Sequence, residues 1–179
     1  AGLWMALLSG SGYQPVAAVL GGPSYAALRA GDYDADGKID PAVYHRETGL
    51  WIGLFSTMNY AAVSGTSGGR GRLAVPADYD GDGITDPAIY ETVSGLWYIL
   101  PSTRVTASGY SLLWPPPQFG GASLSATLTP APGNYDGMGG ADLALYDPTA
   151  WKWYITTLDG LPLAWGYPMG SLGFLPITP

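Results

Sequence analysis

Tryptophan recurs through this 179-residue chain at Trp4, Trp51, Trp97 and Trp153, at intervals of 47, 46 and 56 residues. Tyr44, Tyr90 and Tyr146 keep step at 46 and 56. A repeat of this size is one supersecondary unit. It cannot bury its apolar face alone, so successive units must stack on one another. One period reads as four short strands with a turn at Ser94-Gly95: A over 73–76, B over 86–90, C over 96–100 and D over 110–114. The expected fold is therefore all-β, made of repeated four-stranded antiparallel blades in a β-propeller-like arrangement, with a blade short of strands completed by a neighbouring subunit. The chain is expected to form a single repeat domain over 1–179. Its approximate units are 1–28 (partial), 29–72, 73–124, 125–170 and 171–179 (a partial strand). The ten extra residues of the third period fall in 115–132, read as an enlarged connection.

Between strands A and B lies an Asp-rich loop, present three times. The copies are Asp32-Tyr-Asp-Ala-Asp-Gly-Lys-Ile-Asp40, Asp78-Tyr-Asp-Gly-Asp-Gly-Ile-Thr-Asp86 and Asn134-Tyr-Asp-Gly-Met-Gly-Gly-Ala-Asp142. In the first two, positions 1, 3, 5 and 9 are all Asp: Asp32, Asp34, Asp36 and Asp40, then Asp78, Asp80, Asp82 and Asp86. Four carboxylates so close repel one another strongly without a cation. A hard ion taking about six to eight oxygens at about 2.3–2.6 Å suits them, which points to calcium. Glycine at position 6 permits the sharp turn, and the backbone carbonyls of Lys38 and Ile84 at position 7 are expected to complete the ring.

Other readings of the loop fit less well. An EF-hand needs a bidentate Glu at position 12 between helices. Here position 12 is Val43 or Ile89, inside a short apolar strand. Soft metals are disfavoured by the lack of Cys and the single histidine, His45. A third, degenerate site is expected on Asn134, Asp136 and Asp142. Asn134 replaces the first Asp and Met138 removes an oxygen, so affinity should fall while Gly137, Gly139 and Gly140 preserve the turn.

The net charge is −7, from 14 acidic and 7 basic residues. Ten of the acids lie in the loops, four, four and two, so the acidity is local ligand chemistry rather than a general surface property. Two calcium ions would bring the formal charge to −3. No basic patch suits nucleic acid, and no apolar run reaches the roughly 18 residues of a membrane span. No signal peptide is visible. Loops of this kind in extracellular modules hold calcium at about 10⁻⁴–10⁻³ M, so an extracellular or cell-surface, secreted setting is expected.

The succession Asp-Tyr-Asp-Gly-Asp-Gly, Asp-Pro-Ala-Ile-Tyr and Gly-Leu-Trp-Tyr resembles the FG-GAP/VCBS repeat family of secreted bacterial proteins, with related loops in integrin α propellers. The resemblance spans nearly the whole chain. It implies a propeller-like fold, calcium in the blade loops, and roles in adhesion, ligand or glycan binding, or cell-surface architecture. It implies no single activity.

Strand order reads CD, ABCD, ABCD, ABCD, A, the last from residues 172–179. The partial units are expected to pair with each other or with another copy, the latter giving a head-to-tail filament. Trp51, Trp97 and Trp153 are expected to pack between blades, and Trp114, Trp151 and Trp165 to serve an exposed surface. His45, like Glu91 and Asp147 in the same register, is expected at an exposed strand end. One histidine without a nucleophile motif supports no triad, and the Asp residues are committed to loops, so the chain is not expected to be an enzyme. The leading expectation is a calcium-binding structural or adhesive module whose partner is itself or another cell-surface protein. The alternatives are a lectin-like glycan-binding module and an accessory domain of a secreted enzyme.

Overall fold

The computed structural model describes residues 2–8, 12–106, 109–110, 112–113, 115–173 and 176. It is all-β and antiparallel. A hairpin of β1 (Leu3–Leu8) and β2 (Gln14–Val19) comes first. A four-stranded sheet follows, ordered β3 (Tyr25–Ala27), β4 (Ala42–His45), β5 (Leu50–Phe55) and β6 (Ala61–Thr66). Next is a three-stranded sheet of β7 (Arg72–Ala74), β8 (Ala88–Glu91) and β9 (Trp97–Ile99). A small hairpin, β10 (Val105–Thr106) with β11 (Gly109–Tyr110), precedes a last four-stranded sheet. That sheet runs β12 (Thr129–Pro130), β13 (Leu143–Asp147), β14 (Lys152–Thr156) and β15 (Pro162–Pro168). Among the described residues the sheets form no closed ring.

The middle sheet departs from the four-strand expectation for a local reason. Leu113 donates its N–H to Ile99, Trp97 donates to Pro117, and Phe119 donates to Gly95, so residues 113 and 117–119 do lie along β9. The run Pro115-Pro116-Pro117 has no N–H to offer a ladder, so the edge stays irregular. The expected fourth strand over 110–114 falls partly outside the described residues, as do Trp114 and most of the segment 172–179.

Each consecutive pair of units encloses an apolar cluster. Leu20, Val43 and Leu54 pack with Trp4 and Ile52 between the first hairpin and the first sheet. Leu28, Ala42, Tyr44 and Ile89 pack with Tyr33, Trp51 and Tyr98 between the first and middle sheets. The largest cluster joins the middle and last sheets through Tyr79, Tyr90, Trp97, Ile99, Phe119, Leu143 and Leu145. Trp97 is fully buried and Trp51 and Trp153 are half-buried, while Trp151 and Trp165 are exposed.

The repeated aromatic residues also tie the segment that leads to the next unit back onto their own strands by hydrogen bonds. The Tyr44 hydroxyl accepts the Gly69 N–H at 2.6 Å and the Tyr90 hydroxyl accepts that of Gly121 at 2.8 Å. The indoles of Trp51 and Trp97 donate to the carbonyls of Ser67 and Phe119 at 3.1 and 3.0 Å. At the register shared by His45, Glu91 and Asp147, the structure places turn caps rather than free strand ends. Thr48 N–H reaches His45 Nδ1, Ser94 donates to Glu91, and Thr149 donates twice to Asp147. Asp147 is buried. Burial would raise its pKa, but those bonds outweigh it and hold the carboxyl at about 2.

Candidate metal centre

The three loops share one backbone plan. Each closes at an isolated antiparallel bridge: Gly31 with Asp40, Ala77 with Asp86, and Gly133 with Asp142. In each, the position-9 carboxylate accepts the N–H of the position-2 tyrosine. The distances are 3.0 Å for Asp40 and Tyr33, and 2.8 Å for both Asp86 with Tyr79 and Asp142 with Tyr135. That tyrosine donates its hydroxyl to the carbonyl four residues back, at Arg29, Val75 and Ala131.

Position 1 organises the turn. Asp32 accepts N–H bonds from Ala35 and Gly37, both at 2.7 Å. Asp78 accepts those of Gly81 and Gly83 at 2.7 and 2.9 Å. In the third loop Asn134 accepts from Gly137 at 2.6 Å and donates to the Gly139 carbonyl at 3.1 Å. An amide thus replaces a carboxylate without losing the turn, because its NH₂ finds an acceptor that a carboxylate cannot use.

Carboxylates converge in two loops. Asp32, Asp34 and Asp40 bring one oxygen each within 4.8 Å of the others, as do Asp78, Asp80 and Asp86. Among the described residues these are the groups of acidic side chains that can hold a metal ion. The third loop makes no such group; Asp136 accepts the Met138 N–H and Asp142 is buried. The position-5 carboxylates stand aside from the triads. Asp36 binds Lys38 Nζ at 2.5 Å and the Ser56 hydroxyl at 2.6 Å, and Asp82 binds the Ser102 hydroxyl at 2.6 Å. The N–H groups of Lys38 and Ile84 donate to these same position-5 carboxylates.

A shelf holding the triads was not anticipated from the sequence. Two short 3₁₀ turns, Ser56–Met58 and Ser102–Arg104, follow β5 and β9. Ser56 N–H bonds Asp40 at 2.9 Å and Ser102 N–H bonds Asp86 at 2.7 Å. The Thr57 hydroxyl bonds Asp34 Oδ2 at 2.7 Å, and that of Thr103 bonds Asp80 Oδ2 at 2.6 Å. The signal was present: Ser-Thr follows the last loop Asp by 16 residues in both repeats, whereas the third repeat has Leu158-Asp159 there. The shelf is missing from the same repeat that lost its position-5 oxygen.

With Oδ2 held by threonine, the other oxygens of Asp34 and Asp80 are left buried with no hydrogen-bond partner. An orphaned buried carboxylate oxygen costs more than a neutral group left in the same state. The same oxygen is left so in both triads, a buried acceptor that an ion held by the triad would satisfy. The donor set, all oxygen, fits a hard cation. Burial also raises the pKa of Asp40 and Asp142, and pushes that of Asp86 up to about 6 despite N–H bonds from Ser102 and Tyr79. Asp36 goes the other way, to about 2, through its bonds to Lys38 and Ser56.

The loops are joined in series. Thr85 N–H, at position 8 of the second loop, donates to the Asp32 carbonyl at position 1 of the first, at 2.6 Å. Ala141 repeats the bond to Asp78 at 2.6 Å. Gly140 beside it has no room for a Cβ against the Tyr79 carbonyl, so glycine is required there by close approach. No protein-family model, curated protein or solved structure matches the chain.

Proposed function

We propose that this chain is a non-catalytic, calcium-binding structural or adhesive repeat module of the extracellular or cell-surface space, and that it associates head to tail with further copies. The observation that carries the calcium reading is the pair of orphaned oxygens on Asp34 and Asp80, each within a convergent carboxylate triad. One ion belongs to Asp32, Asp34 and Asp40, the other to Asp78, Asp80 and Asp86. Each neutralises carboxylates that otherwise repel and are expensive to bury. The loop-plus-strand sequence and the repeated antiparallel sheets are together what supports membership of the FG-GAP/VCBS family.

Calorimetric titration tests the sites. The expected uptake is two calcium equivalents, with Asp80→Ala leaving one. Thr103→Val, which removes only the hydroxyl orienting Asp80, should weaken one site by about tenfold, the usual scale for a residue that positions a metal ligand. No saturable uptake, or two equivalents in Asp80→Ala, overturns the assignment.

The assembly reading rests on an exposed face of the first hairpin. Leu3, Met5, Leu7 and Val19 are exposed there, Met5 at 71% and Leu7 at 65%. Met5 and Leu7 stand, in repeat register, where Ile52 and Leu54 of β5 pack against the preceding unit. The hairpin thus presents a face of the kind that elsewhere in the chain is covered by another repeat unit, and a second copy would supply such a unit. Sedimentation in calcium should show concentration-dependent association that Met5→Lys abolishes. A monomer at high concentration sinks the assembly reading and leaves the calcium sites standing.

A further inference from the structure

The two large interfaces between sheets are not equally filled. Between the middle and last sheets, Ile99 of β9 is fully buried, and Leu113 and Phe119 from the irregular edge pack into the same cluster. Between the first and middle sheets the residue in the register of Ile99 is Gly53. Its cross-strand partner on β6 is Val63, followed by Ser64 and Gly65. Small side chains thus stand where the other interface has large ones. A cleft of about 310 Å³ opens between Trp51 and Val63 on one wall and Ile89 and Tyr98 on the other.

We propose that this cleft is a binding site for a small uncharged molecule with one flat apolar ring system. Its volume lies at the lower end of the roughly 300–1,000 Å³ typical of ligand sites. It exceeds the roughly 150 Å³ cavity known to admit benzene. Among the described residues no charged one lines it, so a formal charge on the ligand would go uncompensated. Its aromatic walls are fixed rather than free to collapse inward: the Trp51 indole is tied to the Ser67 carbonyl, and the Tyr33 hydroxyl to that of Arg29. Ring stacking on such a wall adds to area burial.

Gly53 is also a position where the space can be closed experimentally. Its φ lies outside the left-handed region, and an added Cβ would meet only the outer ring of Phe55, at 2.8 Å. Indole, titrated calorimetrically in calcium, is the probe. The wild-type chain should bind it saturably at one site. Gly53→Ile fills the cleft from its floor and Val63→Phe from its edge strand. Each should weaken binding by about tenfold or more, with cooperative melting retained in at least one. Absence of saturable indole binding to the wild-type chain overturns the proposal. So does undiminished binding to a filled variant that still melts cooperatively. Binding of methyl α-glucopyranoside in the cleft with none of indole overturns the assigned ligand chemistry. None of these results depends on the outcome of the calcium titration.

Discussion

Calcium at a hundred times its dissociation constant is expected to raise the melting temperature by about 10–20 °C over the same protein in chelator. The size follows from linkage: an ion that binds only the folded chain adds about 2.7 kcal/mol per site at that excess. Two sites give about 5 kcal/mol, and a domain of this length gains roughly 2–4 °C per kcal/mol. The structural origin is specific. Without an ion, Asp34 and Asp80 each bury an unpaired oxygen and Asp86 is pushed up to about 6 by burial. A carboxyl whose folded pKa lies above its unfolded value binds protons more readily when folded. In chelator, the Asp86 contribution to stability therefore rises as pH falls from about 7 toward 5. In calcium the trend should reverse there, because protons compete with the ion for the same oxygens. Equal melting temperatures with and without calcium would remove the ion from any structural role.

Trp97→Ala is expected to cost about 3–5 kcal/mol, the range for deleting a large aromatic side chain from a packed core. Trp97 has no solvent exposure, its ring lies 4.9 Å from that of Tyr90, and its indole N–H is bonded to the Phe119 carbonyl. Removing it opens a cavity in the largest apolar cluster and strands a buried acceptor. Against a typical total of about 5–15 kcal/mol, that is a large share of stability. Trp165, 66% exposed, is the control, and Trp165→Ala should cost no more than about 1 kcal/mol. Urea unfolding of both variants measures the contrast. A Trp97→Ala loss no larger than that of Trp165→Ala would mean that the inter-sheet cluster is not what holds the units together.

The parts legible in the sequence are those written in residue type and spacing. The loops stand out because few residues besides Asp supply so many oxygens, and the period stands out because Trp and Tyr are scarce enough to mark a register. The all-β class followed from both. The Ser-Thr shelf was missed because serine and threonine are ordinary turn residues; only their recurrence at 16 residues beyond the last Asp distinguishes them. The ragged edge of the middle sheet was legible in principle, since three consecutive prolines cannot donate to a ladder. Gly53 carried no signal by itself. A glycine in a strand is unremarkable until the neighbouring sheet shows what its missing side chain leaves open.

The sequence by itself determined the repeat length, the antiparallel β class and the two loops rich enough in carboxylates to hold an ion. Those properties depend on composition and local backbone geometry, which act over a few residues. Tertiary structure decided which carboxylates converge. Asp34 and Asp80 present an unpaired oxygen because a threonine 23 residues away binds the other one. Asp36 and Asp82, equally acidic, are drawn to serines on the same turns. A carboxylate's partners depend on where its two oxygens are held, and that is set by groups brought close only when the chain folds.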